Sequence, residues 1–208
     1  MILSAPSGSG KTTIAHGLRT ARDDVGYSVS ATTRQPREGE EEGVDYFFMT
    51  PDEFQQRIDA NEFMEWAPYA GSRYGTLVSE VERILKSGKL AVLDVEVQGA
   101  RAIRERLANV VSIFILPPSA RVLRERLTER STEDGDTLGS RLRHAVDEVE
   151  EALNFDYVVI NDDRAQAIAE VVGIIDAESR RPTRLPNMAK TLDELRDSLA
   201  EQAQSVRP

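Results

Sequence analysis

Apolar runs of strand length recur along this chain, separated by longer stretches whose apolar residues follow a helical period. After the short start Met1-Ile2-Leu3 come Val25 to Ser30, Leu90 to Val95, Val110 to Leu116 and Tyr157 to Ile160. These runs are of the kind expected for strands buried on both faces, and the amphipathic stretches between them supply covering helices. The pattern predicts an α/β fold with a parallel sheet.

Between Ser30 and Tyr74 the pattern changes to short β-like pieces, Val44 to Met49 and Phe63 to Tyr69. They are joined by a helix announced by Thr50-Pro51-Asp52-Glu53, a capping box with proline at the first helical position. A small mixed β insertion over about residues 30–80 is the expectation. Ser79-Glu80-Val81-Glu82 is read as a second helix start of the same kind, ended by Gly88 before the strand at Leu90. Ser119 to Leu153 is helical and arginine-rich but broken by the polar run Ser131-Thr132-Glu133-Asp134-Gly135-Asp136, which predicts two helices with a mobile tip, a lid over about residues 119–153. The body is expected to span residues 1–182. In the tail, residues 183–208, Thr191-Leu192-Asp193-Glu194 is expected to cap an amphipathic helix with Leu192, Leu195 and Leu199 on one face. Such a helix packs on the body or on another subunit, so a homo-oligomer stays open.

The chain has 208 residues, 40% hydrophobic and 30% charged, which suits a soluble globular protein with a substantial core. No apolar stretch approaches a membrane span, and the start leads directly into a loop motif with no room for a signal peptide. A cytoplasmic location without membrane partners is expected. Zero cysteines exclude disulfides, thiolate metal sites and cysteine nucleophiles. The net charge of −10 repels nucleic acid, so no nucleic-acid partner is expected and any anionic substrate needs a local cationic pocket. His16 and His144 have no ligand spacing.

The candidate chemistry begins at Ala5-Pro6-Ser7-Gly8-Ser9-Gly10-Lys11-Thr12, which follows the first apolar run and precedes a helical pattern. Gly8 and Gly10 can adopt backbone angles closed to other residues, so successive N–H groups can curl around a polyphosphate at the positive end of the following helix. Lys11 would reach the β- and γ-phosphates and the Thr12 hydroxyl would ligate Mg²⁺. Ala5 stands where the usual loop has glycine. The plainer alternative is a Gly/Ser-rich turn followed by a lysine.

A second cationic feature follows. Arg34 and Arg37 flank a Pro-containing loop with Tyr46 shortly after. Two guanidinium forks suit a phosphate dianion, although loop arginines are often merely solvated. Asp94 and Glu96 end an otherwise apolar strand, at the sheet edge where parallel-sheet enzymes bind ligands.

The run Ser30-Ala31-Thr32-Thr33-Arg34-Gln35-Pro36-Arg37-Glu38-Gly39-Glu40, with Gly43-Val44-Asp45-Tyr46-Phe47-Phe48 and the opening loop, closely resembles the guanylate kinases. The resemblance continues at Phe63-Met64-Glu65-Trp66, Gly71-Ser72-Arg73-Tyr74-Gly75-Thr76, Leu93-Asp94-Val95-Glu96-Val97-Gln98-Gly99, Phe114-Ile115-Leu116-Pro117-Pro118-Ser119 and Val159-Ile160-Asn161-Asp162-Asp163. Together these cover most of Met1 to about Arg181.

That resemblance implies a parallel P-loop kinase core, an inserted GMP-binding region and a helical lid. It implies ATP as phosphoryl donor with Mg²⁺, and GMP or dGMP as acceptor. Lys11, Arg126, Arg130 and Arg141 match the family's catalytic cations. Ala5, Pro6, Ser7, Gly8, Ser9, Gly10, Lys11, Thr12, Thr13 and Asn161 match nucleotide contacts. Arg34, Arg37, Tyr46 and Tyr74 match residues that hold the GMP phosphate, while Ser30, Glu65 and Thr76 match those that read guanine. A carboxylate can accept from guanine N1–H and its amino group together, and a hydroxyl can donate to O6. Thr12 and Asp94 match the magnesium side, Asp94 through a water. Glu96 stands on the guanine side where the family more often has Asp.

Taken alone, Glu65 reads as an ordinary strand carboxylate and Tyr46 and Tyr74 as half-buried β residues. Glu96 reads equally as the cap of a helix beginning near Gln98, and Asp162 or Asp163 as a helix N-cap. Glu129 and Ser131 replace lid glycines, a change expected to stiffen the lid. Two rival functions are a non-catalytic guanylate-kinase-like interaction module, against which Lys11-Thr12 speaks, and a related phosphosugar kinase, against which Glu65 and Thr76 speak.

Overall fold

The computed structural model describes residues 1–69, 71–107, 109–130 and 138–205, the side chain of residue 130 excepted. It divides into two compact units, Met1–Glu170 and Val171–Pro208. In chain order the first unit begins with β1 (Ile2–Ser4), α1 (Lys11–Ala21), β2 (Val25–Ser28), β3 (Ser30–Thr32), β4 (Tyr46–Phe48), α2 (Pro51–Asp59), β5 (Phe63–Tyr69) and β6 (Ser72–Leu77). It continues with α3 (Val78–Lys86), β7 (Leu90–Asp94), α4 (Val97–Arg106), β8 (Ser112–Leu116), α5 (Ala120–Arg130), α6 (Leu138–Glu150) and β9 (Tyr157–Ile160). Helix α7 (Arg164–Ser179) runs across the division, and α8 (Met188–Ser205) lies in the second unit.

Five strands form a wholly parallel sheet in the order β2-β7-β1-β8-β9, as the continuous apolar runs require. Ile2 and Leu3 of β1, Val92 of β7 and Ile113, Phe114 and Ile115 of β8 are fully buried. The α1 positions Ile14, Ala15 and Leu18 are buried with them. Because β1 is central, the loop that follows it emerges beside the C-terminal end of β7, where parallel sheets hold ligands.

The second sheet, ordered β4-β3-β6-β5, is mixed: β3 pairs in parallel with β4, and the β3–β6 and β6–β5 pairs are antiparallel. It is held by a cluster of Ala31, Phe54, Phe63 and Leu77, with Phe54 stacked on Phe63 at 4.4 Å. The capping box of α2 forms as expected. The Thr50 hydroxyl accepts from Glu53 N–H, and the Glu53 carboxylate accepts from Thr50 N–H.

Four local expectations are corrected. The run Val25 to Ser30 is divided: Ser28 ends β2 in the large sheet and Ser30 begins β3 in the small one. The apolar pattern does not register this transfer because Val29, between them, is buried as well. Strand β6 was not anticipated; its mixture of glycine, polar and aromatic residues lacks an apolar run, and its pairing with β5 defines it. Helix α3 starts at Val78 without a side-chain cap rather than at Ser79, and Glu82, the acid of the expected box, pairs with Lys86 at 2.8 Å instead. Helix α8 starts at Met188, so Thr191 lies inside its first turn and its N–H bonds the Asn187 carbonyl.

Gly88, at φ 77°, terminates α3 as read. Leu192, Leu195 and Leu199 on α8 are each 55–56% exposed. The lid tip at Ser131–Asp136 lies outside the described residues. No helix among the described residues is long and apolar enough to cross a membrane.

Candidate active site

A cleft of about 1040 Å³ opens at the C-terminal edge of β1 and β7, lined by the phosphate loop on one side and by the small sheet on the other. Gly8 and Gly10 take φ values of 87° and 89°, the left-handed turns that the loop needs. Gly10 occupies the N-cap position of α1 without any side-chain cap, so the first-turn N–H groups of that helix face an anion-binding position. A side chain at Gly10 would collide with Asn161, whose amide donates to the Ser9 carbonyl at 2.7 Å. Arg126 donates to the carbonyls of Ser9 and Asn161 at 3.3 and 3.2 Å. Asn161 and Arg126 therefore brace the loop's backbone.

Lys11 and Thr12 converge on Asp94. The Lys11 ammonium lies 2.8 Å from Asp94 Oδ1, donates to the Val95 carbonyl at 2.8 Å and stands 3.4 Å from Glu96 Oε1. Thr12 donates its hydroxyl proton to Asp94 Oδ2 at 2.8 Å. Burial opposes the charge on Lys11, but Asp94 and Glu96 outweigh it and hold the ammonium above the ordinary lysine range. Glu96 occupies the N-cap position of α4 yet makes no cap hydrogen bond; its carboxylate turns toward Lys11 instead. Thr13 is exposed on α1.

Across the cleft, the small sheet presents Glu65 opposite Thr76 as a cross-strand pair, after a register shift between Phe63 and Glu65. Thr76 donates to Glu65 Oε1 at 2.7 Å and both residues are buried. Burial pushes the Glu65 carboxyl up, against the pull of the Thr76 hydrogen bond. Behind it runs α4, where a Cβ on Gly99 would lie 2.5 Å from Glu65 Oε2.

Arg34 stacks over the Tyr46 ring at 5.3 Å and donates to Glu40 at 2.8 Å. That ion pair holds the Glu40 carboxyl below its usual range. Tyr46 packs edge-on against Tyr74 with centroids 6.0 Å apart, and Ser30 and Arg37 line the same cleft. From α6, Arg141 donates to the Ser7 hydroxyl at 3.1 Å. The side chain of Arg130 lies outside the described residues. Asp163 caps α7 by accepting from Gln166 N–H at 2.8 Å, the plainer of its two readings.

Sequence reasoning missed Glu148, Tyr69, Glu40 and Gly99. Glu148 lies two helical turns beyond Arg141, so helical periodicity carried a usable signal. Glu40 and Gly99 stand within the runs that carry the resemblance and Tyr69 ends an expected strand, but the partner each one meets comes from the fold.

A phosphate loop between a central parallel strand and a helix, facing a carboxylate–hydroxyl pair on an inserted sheet, defines a P-loop nucleotide kinase architecture. The guanylate kinase family model matches residues 1–178. The guanylate kinase of Symbiobacterium thermophilum is 42% identical over 184 residues, 88% of this chain and 87% of that protein. That of Geobacter sulfurreducens is 44% identical over 184 residues, 88% of this chain and 91% of its own. The crystal structure of guanylate kinase from Anaplasma phagocytophilum superposes with a TM-score of 0.76 at 31% identity, covering 93% of this chain and 92% of the other. The chain belongs to the guanylate kinase family.

Proposed function

We propose that this protein transfers the γ-phosphoryl group of ATP to a phosphate oxygen of GMP or dGMP, giving ADP and the nucleoside diphosphate. The observation that carries the reading is the buried Glu65–Thr76 pair on the small sheet, facing the Lys11–Asp94 pair across one cleft. A carboxylate and a hydroxyl so placed match the paired donors and the O6 acceptor of guanine, which adenine does not offer.

The chemistry is positioning and charge neutralisation. Lys11 supplies positive charge at the β- and γ-phosphates, and the α1 N-terminus adds backbone donors. Arg34, Arg37, Tyr46 and Tyr74 hold the acceptor phosphate, and Ser30 and Glu96 complete the guanine side. The lid arginines Arg126, Arg130 and Arg141 lower the charge on the passing group, and lid closure keeps water from the reacting phosphate. The acceptor oxygen is already ionised at neutral pH and needs no general base.

The Thr12 hydroxyl and the Asp94 carboxylate, joined at 2.8 Å, form an all-oxygen donor set. Such a set suits Mg²⁺, which takes one or two protein oxygens and keeps its waters and substrate phosphates. Bound there, the ion would neutralise phosphate charge. Small-molecule partners and a cytoplasmic location are in keeping with the net charge of −10 and the lack of cysteine. An ADP-release assay with MgATP against GMP, dGMP, AMP, UMP and a sugar bisphosphate tests the reading: turnover confined to GMP and dGMP is expected, and turnover with the sugar bisphosphate alone would overturn it.

A further inference from the structure

The family model ends at residue 178 and α8 begins beyond it, so the chemistry proposed above gives this helix no task. Helix α8 spans 18 residues, which is roughly 27 Å at the usual helical rise. The link before it carries Pro182 and Pro186, and Asn187 at φ 59° turns the chain through a left-handed residue. No residue of α8 is buried. Leu192, Leu195 and Leu199 stay more than half exposed, and Met188 is half-buried.

Met188, Leu192, Leu195 and Leu199 follow one another at intervals of four, three and four residues. This is the seam of a coiled coil, with Leu192 and Leu199 at position a and Met188 and Leu195 at position d. A helix that covers a sheet or a broad core carries a wider apolar stripe, with a third position of each heptad filled. Here the flanking positions are Ala189, Arg196 and Ala203 on one side, and Thr191, Ser198 and Ser205 on the other. A narrow seam with mostly small shoulders fits one other helix.

Charge selects which helix. Lys190, Asp193, Glu194, Asp197 and Glu201 all fall on the outer face, away from the seam and its flanks. The single flanking charge, Arg196, is already held by Asp193 and Asp197, each at 3.0 Å. An anionic membrane surface calls for lysine and arginine along the polar face, and this polar face is mostly acidic. A cationic partner calls for acids beside the seam, where α8 has none. The surface complementary to an uncharged apolar seam is a second such seam. Two chains of net charge −10 can meet there without bringing like charges together.

We propose that α8 is a dimerisation helix whose seam packs against the same seam of a second copy, in an isologous two-fold contact. Four side chains from each copy make a contact at or below the low end of stable interfaces, about 1,200 Å² in total. The dimer is therefore reversible, with a midpoint of about 10–100 μM.

The test is sedimentation equilibrium of the full chain over about 1–300 μM, with circular dichroism and a thermal melt of each variant. Wild type should pass from the monomer mass to twice that mass. The double variant Leu195→Ala/Leu199→Ala removes half of the seam while alanine favours the helix, so helicity is kept. It should raise the midpoint more than tenfold and stay monomeric over most of the range. Glu201→Gln, on the outer face, should dimerise as wild type does. A wild type that stays monomeric at the highest concentration overturns the proposal, above all if the double alanine variant melts lower, which would mean that α8 folds back on its own chain. A dimer that survives the double variant, or an assembly larger than two, overturns it as well. The readout is mass, so the result does not depend on which nucleotide the protein phosphorylates.

Discussion

Gly99→Ala is the most demanding test of the guanine side, because it alters a residue that need not touch any substrate. Gly99 lies in the first turn of α4, and a Cβ there would stand 2.5 Å from Glu65 Oε2 and 2.9 Å from its Cδ. To reach the 3.4 Å of ordinary contact the carboxylate oxygen must retreat by about 0.9 Å. It cannot do so freely, since Oε1 accepts from Thr76 at 2.7 Å. Retreat stretches that bond or turns the carboxylate from the cleft. The helix itself gains less than the roughly 1 kcal/mol by which alanine is favoured over glycine in a helix interior, because Gly99 lies in the first turn, so only a small part of the steric cost is offset. The fold should survive. On the substrate side, a misplaced hydrogen bond to a charged group costs about 1.5–3 kcal/mol, or roughly 10- to 150-fold in kcat/KM for GMP. KM for ATP should stay unchanged, and the preference for GMP over AMP should narrow. The assay is ADP release at saturating ATP with GMP and AMP titrated in turn, alongside a thermal melt. Wild-type kcat/KM for GMP in folded Gly99→Ala would show that the Glu65 carboxylate does not read the base.

Lys11→Ala should remain folded but lose about 10²- to 10³-fold in kcat, the effect of removing one preorganised electrostatic donor; wild-type turnover, with contaminating kinase excluded, would remove the loop from the mechanism. Arg34→Ala deletes a guanidinium stacked over Tyr46 and paired with Glu40, and should raise KM for GMP about tenfold or more while leaving ATP binding nearly intact; equal losses for both nucleotides would place Arg34 elsewhere. Glu148→Gln should reveal a pH-dependent stability. Its carboxyl rises from the ordinary 4.5 to about 7 in the fold, so the stability it contributes is present below about pH 4.5 and is lost as pH rises through 7. A neutral glutamine escapes that loss, so the variant's Tm relative to wild type should be higher at pH 8 than at pH 5. A difference independent of pH would refute the assignment.

Much of this architecture was legible along the chain because it is locally encoded. Short continuous apolar runs at Leu90 and at Val110, each bounded by polar or turn residues, suit strands covered on both faces, and β7 and β8 lie within those runs. Thr50-Pro51-Asp52-Glu53 satisfies its own helix terminus with its own side chains, so the start of α2 was readable from four residues. Gly8 and Gly10 announced the loop because its left-handed turns exclude most other residues. Among the residues that line the cleft, Lys11, Asp94, Arg34, Glu65 and Tyr74 were each singled out by type and motif.

What the chain could not disclose was which distant pieces face one another. The division of Val25 to Ser30 between two sheets follows from which neighbours each half pairs with, β7 for one and β4 and β6 for the other. Glu96 was as readable as a helix cap as a cleft carboxylate, and only the approach of Lys11, whose ammonium stands 3.4 Å away, turned it into the cleft. Glu148 and Ser7 are 141 positions apart, and Gly99 passes under Glu65 only because α4 packs behind β5. Local propensity and periodicity report the conformation of a segment and the face it buries. Contacts between remote side chains depend on how the packed elements are stacked, which is a property of the tertiary structure alone.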